Sequence, residues 1–191
     1  MPRVTTAFAA AFALYLPIGR LLLAGLTPVA GIGAGLLSTQ AAYAQNATDL
    51  LISGNAKAKR GDWQGAIADF TKIIEFHPQE AVAYNNRGNV KQELKDYQGA
   101  ISDFSKAIEV DPDYALAYYN RGNLKLKLKD YQGAIDDYTS AIKLNPEMYQ
   151  AYANRGNIFE GIGNLKAACW DWKKAVDLGS TKSIESVRSM C

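Results

Sequence analysis

From about residue 47 to the C-terminus, apolar positions recur every three to four residues, and that pattern restarts every 34 residues. Ala-Tyr-Asn-Asn-Arg-Gly-Asn at 83–89 returns as Ala-Tyr-Tyr-Asn-Arg-Gly-Asn at 117–123 and Ala-Tyr-Ala-Asn-Arg-Gly-Asn at 151–157. Asp-Trp-Gln-Gly-Ala-Ile at 62–67 returns with Tyr for Trp at 96–101 and 130–135. Each unit predicts two amphipathic helices. Tyr84, Tyr118 and Tyr152 open the first, with Val90, Leu124 and Ile158 on its inward face. The second carries Phe70, Phe104, Tyr138 and Trp172 toward the core.

Small and breaking residues mark how the helices meet. Gly54, Gly88, Gly122 and Gly156 face a column of Ala66, Ala100, Ala134 and Ala168, a pairing that lets antiparallel helices approach closely. Asp62, Asp96 and Asp130 stand where the second helix begins and suit an N-cap. Pro78, Pro112 and Pro146 end each unit, because proline cannot continue the helix. Four registers follow, at 47–80, 81–114, 115–148 and 149–182. Residues 181–191 predict a further short helix with Ile184, Val187 and Met190 on one stripe, and 183–191 form its end beyond the fourth register. That helix would cover the last bare face.

The pattern Tyr-x-x-x-Gly, then Ala, an aromatic four residues on, and Pro resembles the tetratricopeptide repeat family. The Asn-Arg-Gly-Asn variant is similar to repeats of cyanobacterial and plastid proteins. The resemblance implies an all-α, right-handed superhelical solenoid of four helix-turn-helix units plus a C-terminal capping helix, acting as a scaffold for a protein or peptide partner. It also implies a concave groove lined by Asn85, Asn89, Gln92, Tyr119, Asn123, Leu126, Lys127 and Asn157. An Asn amide both donates and accepts, which suits an extended peptide backbone. Tyr119 offers a large apolar anchor with a polar tip. The lysines of the two-carboxylate clamp found in the chaperone-tail subset of the family are missing: Leu51, Val82, Asn85, Leu116 and Gln150 stand in their places. A doubly acidic C-terminal ligand is therefore not expected. Association through the array ends or convex face is the alternative to groove binding.

The polar columns Arg87, Arg121, Arg155 and Asp69, Asp103, Asp137, Asp171 predict an Arg–Asp ladder, either within a unit or between neighbours.

Charge and composition narrow the functional classes. Residues 1–48 hold only Arg3 and Arg20 as charged side chains, and the rest of the chain is balanced, with 19 basic and 19 acidic residues. Such a balance offers no counterion-release term, so nucleic acid is not an expected partner. Apolar runs over 7–18 and 21–37, followed by Ala42-Tyr43-Ala44, predict a signal peptide over 1–44 cut before Gln45. Retained, residues 7–37 would be a membrane anchor instead. Export to a periplasm or thylakoid lumen suits a disulfide. A turn at Gly179-Ser180 would bring Cys169 and Cys191 to the same height and make that bridge feasible. The alternative is one buried and one frayed thiol. His77 is the only histidine, and no zinc set, nucleophile triad or phosphate loop occurs. Neither an enzyme nor a cofactor is expected.

Overall fold

The computed structural model describes the backbone from residue 32 and side chains from residue 46 through Cys191. The expected leader over 1–44 lies outside the residues with described side chains. Helices alone carry the described chain. They are α1 (Ile32–Lys59), α2 (Trp63–Phe76), α3 (Ala81–Glu93), α4 (Tyr97–Val110), α5 (Ala115–Lys127), α6 (Tyr131–Leu144), α7 (Tyr149–Gly161), α8 (Leu165–Asp177) and α9 (Ser183–Met190). Helices α1/α2, α3/α4, α5/α6 and α7/α8 form four hairpins, each packed on the next, and α9 packs on α8. No described helix is long and apolar enough to cross a membrane. Helix α1 starts well before residue 47, where the first register was expected; no proline interrupts its sequence from Ile32 onward.

Each hairpin closes by the same local chemistry. The carboxylates of Asp62, Asp96 and Asp130 accept from the backbone N–H of Gly65, Gly99 and Gly133 at 3.0 Å, capping α2, α4 and α6. Asn164 does the same for α8 through Ala167 N. The tight turns need one left-handed residue: Gly61 and Gly163 in the outer hairpins, but Lys95 and Lys129, at φ 63° and 64°, in the middle two.

The core is one aromatic per hairpin laid over one glycine. Phe70, Phe104, Tyr138 and Trp172 are buried, each beside its alanine column. A methyl group on Gly88 would stand 2.8 Å from Cε1 of Phe104, and one on Gly54 2.7 Å from Phe70. The glycines therefore admit the ring itself, a tighter use than helix approach alone.

The final helix departs from its expected packing. Ile184 and Met190 are exposed, and Ser183 is the buried residue, its hydroxyl 2.9 Å from that of Ser180. Cys169 and Cys191 form a disulfide with a Cα separation of 5.6 Å. With a covalent tie and a buried serine pair holding α9, its apolar stripe need not face the array.

Candidate functional site

The Asn-Arg-Gly-Asn motif turns out to be a connector between hairpins. Arg87, Arg121 and Arg155 each grip an aspartate of their own hairpin with two nitrogens, at 2.7–2.9 Å to Asp103, Asp137 and Asp171. The third nitrogen reaches back to a hydroxyl of the preceding hairpin, Thr71, Ser105 or Thr139. Pairing thus runs within a unit, while the spare donor ties units together. Lys91 and Lys125 add a second cation to Asp103 and Asp137 at 2.8 Å. In the first hairpin Ser53 stands in the arginine's place on Asp69 and Lys57 in that of Lys91 and Lys125, both at 2.7 Å.

The two ends of this ladder differ electrically. Burial raises the Asp69 carboxyl, but hydrogen bonds from Lys57 and Ser53 outweigh that effect and leave it below its ordinary value. At Asp171 burial dominates over Arg155 and holds the carboxyl above its ordinary value. The lysine that accompanies the other three aspartates is missing there, because position 159 is Phe.

The first Asn of the motif also points backward. Asn86 Nδ2 donates to Asn55 Oδ1 (3.1 Å), Asn120 Nδ2 to Asn85 Oδ1 (2.8 Å) and Asn154 Nδ2 to Asn123 Oδ1 (2.9 Å). This corrects part of the expected groove. Asn85 is 1% exposed and belongs to the interface between hairpins, because its amide is consumed by Asn120 and Asn86. The oxygen of Asn123 is held by Asn154 and by Tyr138 Oη at 2.7 Å, and that of Asn157 by Trp172 Nε1 at 2.8 Å. Burial keeps the Tyr138 phenol protonated far above neutrality, so it remains a donor. Asn89 differs from its column-mates. Its hairpin carries Phe104, which has no polar tip, and the bridging Asn120 goes to Asn85. Its amide makes no hydrogen bond among the described residues.

The remaining expected groove residues fall into two clefts and a margin. Tyr119, half-buried with its ring centroid 5.9 Å from that of Tyr138, lines a cleft of about 250 Å³ with Gln150, Asn154 and Lys182. Leu126 and Asn157 line another of about 250 Å³ with Tyr131 and Ile162. Gln92 lines neither, and Lys127 lays its ammonium 4.8 Å from the Tyr97 ring centroid, turned toward its neighbour in the array. Sequence reasoning missed the bridging column Asn86, Asn120 and Asn154, although its 34-residue spacing was in plain view. Among the described residues no group of three metal-ligating side chains gathers.

Models of the tetratricopeptide repeat match residues 50–80, 81–114 and 115–148, together just over half of the chain. The chain belongs to the tetratricopeptide repeat family. No curated protein matches it, but solved structures do. A crystal structure of MamA is 25% identical, covering 75% of this chain and 80% of that one, with a TM-score of 0.66. The first repeat domain of Spaghetti (RPAP3), solved with the HSP90 peptide SRMEEVD, is 29% identical over 62% of this chain and 94% of its own, at a TM-score of 0.59. The fold alone is shared with PilF of Pseudomonas aeruginosa, 20% identical over 78% of this chain and 69% of that one, at a TM-score of 0.71. Within this tetratricopeptide array, the Asn-Arg-Gly-Asn motif does structural work that its regular spacing leaves undetermined.

Proposed function

We propose that the protein is an exported, non-catalytic scaffold that binds an extended peptide segment or a helix of a partner protein on its concave face. The observation that carries this reading is the cleft at Tyr119. An aromatic wall stands there beside polar groups of α7 and the entry to α9, including Gln150 and Lys182. Apolar surface supplies affinity and a few directed polar groups supply orientation, which is how peptide grooves work. The uncommitted amide of Asn89, in the preceding hairpin and one helical turn beyond the Tyr119 register, adds a place for backbone hydrogen bonds. Asn85 and Asn123, occupied by their neighbours, act by holding the groove's shape.

The ligand is not the peptide type seen with RPAP3. Clamping two carboxylates needs cations where this chain has Val82, Asn85 and Gln150. Export rests on the apolar leader ending in Ala42-Tyr43-Ala44 and on the Cys169–Cys191 bond, which persists in an oxidising compartment such as a periplasm or thylakoid lumen.

Affinity capture from the native host tests the site with the wild-type chain beside an Asn89→Ala/Tyr119→Ala variant shown by circular dichroism to be folded. A partner held by the wild type and lost by the variant is the expected result. Equal recovery would remove the concave face from the account.

A further inference from the structure

The fourth hairpin breaks the repeat at three places that meet in space. Lys57, Lys91 and Lys125, which plug the first three hairpins by pairing with Asp69, Asp103 and Asp137, give way to Phe159. Ala68, Ser102 and Asp136 give way to Trp170, and Gln64, Gln98 and Gln132 give way to Lys166. The first three hairpins thus serve as internal controls for the fourth.

The result is a cleft of about 500 Å³ walled by Phe159 and Trp170, with Arg155 and Asp171 at its base and Lys166 in its lining. That volume lies within the range of roughly 300–1,000 Å³ usual for ligand-sized sites. Trp170 remains 59% exposed even though its ring packs, tilted, 6.0 Å from that of Tyr152. The Arg155 guanidinium lies 5.8 Å from the Phe159 ring centroid and reaches Thr139 on α6. The cleft therefore lies between α7 and α8, with Arg155 linking its base to α6. On α7, Arg155 and Phe159 are rotated well over 90° from Asn157 and the concave column, at about 100° per residue.

Electrostatics selects the occupant. Both oxygens of Asp171 are already bound by Arg155, at 2.8 and 2.9 Å. Lys166 has no partner among the described residues. The lining therefore carries two cations against one committed carboxylate, between aromatic walls. An exposed Trp beside an arginine is the composition of an interface anchor, and the unmatched lysine calls for an anion. We propose that this convex cleft is a second docking site, taking a partner-protein segment that presents an aromatic or large aliphatic side chain next to a carboxylate. The site is separate from the concave groove and does not depend on it.

The test titrates the full chain, ¹⁵N-labelled, with the peptide acetyl-Gly-Ser-Glu-Phe-Glu-Ser-Gly-amide while following the Trp170 indole N–H. A saturable shift is expected, weakened about tenfold or more when Gln replaces both Glu or Ala replaces Phe, as loss of one directed contact implies. The variant Phe159→Lys/Trp170→Asp writes third-hairpin residues into the fourth. It should stay folded, with native circular dichroism and a cooperative melt, and lose the shift, whereas Tyr119→Ala should keep the shift. Should the double variant not fold, Lys166→Glu on the surface serves instead, reversing the preference toward a Lys-Phe-Lys peptide. No saturable shift, equal response to the Gln peptide, or unchanged preference in Lys166→Glu would overturn the proposal. So would concentration-dependent dimerisation in sedimentation that the double variant abolishes, since the occupant would then be a second copy.

Discussion

At Gly88 a methyl group has no space: the Phe104 ring occupies it at 2.8 Å. Alanine is a better helix former than glycine by about 1 kcal/mol, yet overpacking a filled core costs about 1–3 kcal/mol. Gly88→Ala should therefore lower stability in urea unfolding. The opposite sign is expected at Lys95, which holds φ at 63° in a turn where the outer hairpins use glycine. Lys95→Gly should raise stability by up to about 1 kcal/mol, the relief of left-handed strain less the added freedom of the unfolded chain. At Asp103 the buried carboxylate serves Arg87 and Lys91 together. Asp103→Asn should cost up to about 3 kcal/mol, because it leaves two partly buried cations without their carboxylate. The ladder's ends should also titrate differently. Asp69 lies below 3.8, so its stabilising contribution is present above that pH and is lost as pH falls through its folded value. Asp171 lies above 3.8, so its charge costs stability at neutral pH, and that cost is relieved as pH falls through its folded value. Carboxyl ¹³C titration should place the two midpoints on opposite sides of 3.8, and Phe159→Lys should move Asp171 downward.

At the level of helices, the last element is the one most dependent on a single tie. Reduction of Cys169–Cys191 opens a loop with a sequence separation of 22, worth about 3 kcal/mol in the chain-entropy view. Reductant should therefore speed amide exchange throughout α9 while leaving α3 to α6 protected. The helices themselves were legible in sequence: the Asp caps, the Gly–aromatic pairs and the proline stops each have a local cause that acts wherever the residue falls. The packing of α9 was not. Its stripe of Ile184, Val187 and Met190 predicts an apolar contact, but Ser183 is buried instead. A disulfide sets the helix's rotation through geometry that an apolar pattern does not encode.

Across the whole molecule, repetition explains both what the sequence disclosed and what it hid. A residue recurring every 34 positions can face a ligand in every unit or bridge every unit to the next, and the spacing is identical in both cases. Asn85 and Asn123 proved to be bridges, while Asn89 stayed open because Phe104 lacks the polar tip of Tyr138. The informative positions are thus the breaks in the repeat: Tyr119 in the cleft beside the entry to α9, and Phe159 and Trp170 in the cleft between α7 and α8. The concave reading is tested most directly by site-specific photo-crosslinking in the native host. Benzoylphenylalanine is placed at Gln150 in the Tyr119 cleft, or at Gln98 on the opposite face of the second hairpin. The account predicts a discrete protein adduct from position 150 and none from position 98. Adducts from 98 alone, or equally from both, would contradict it.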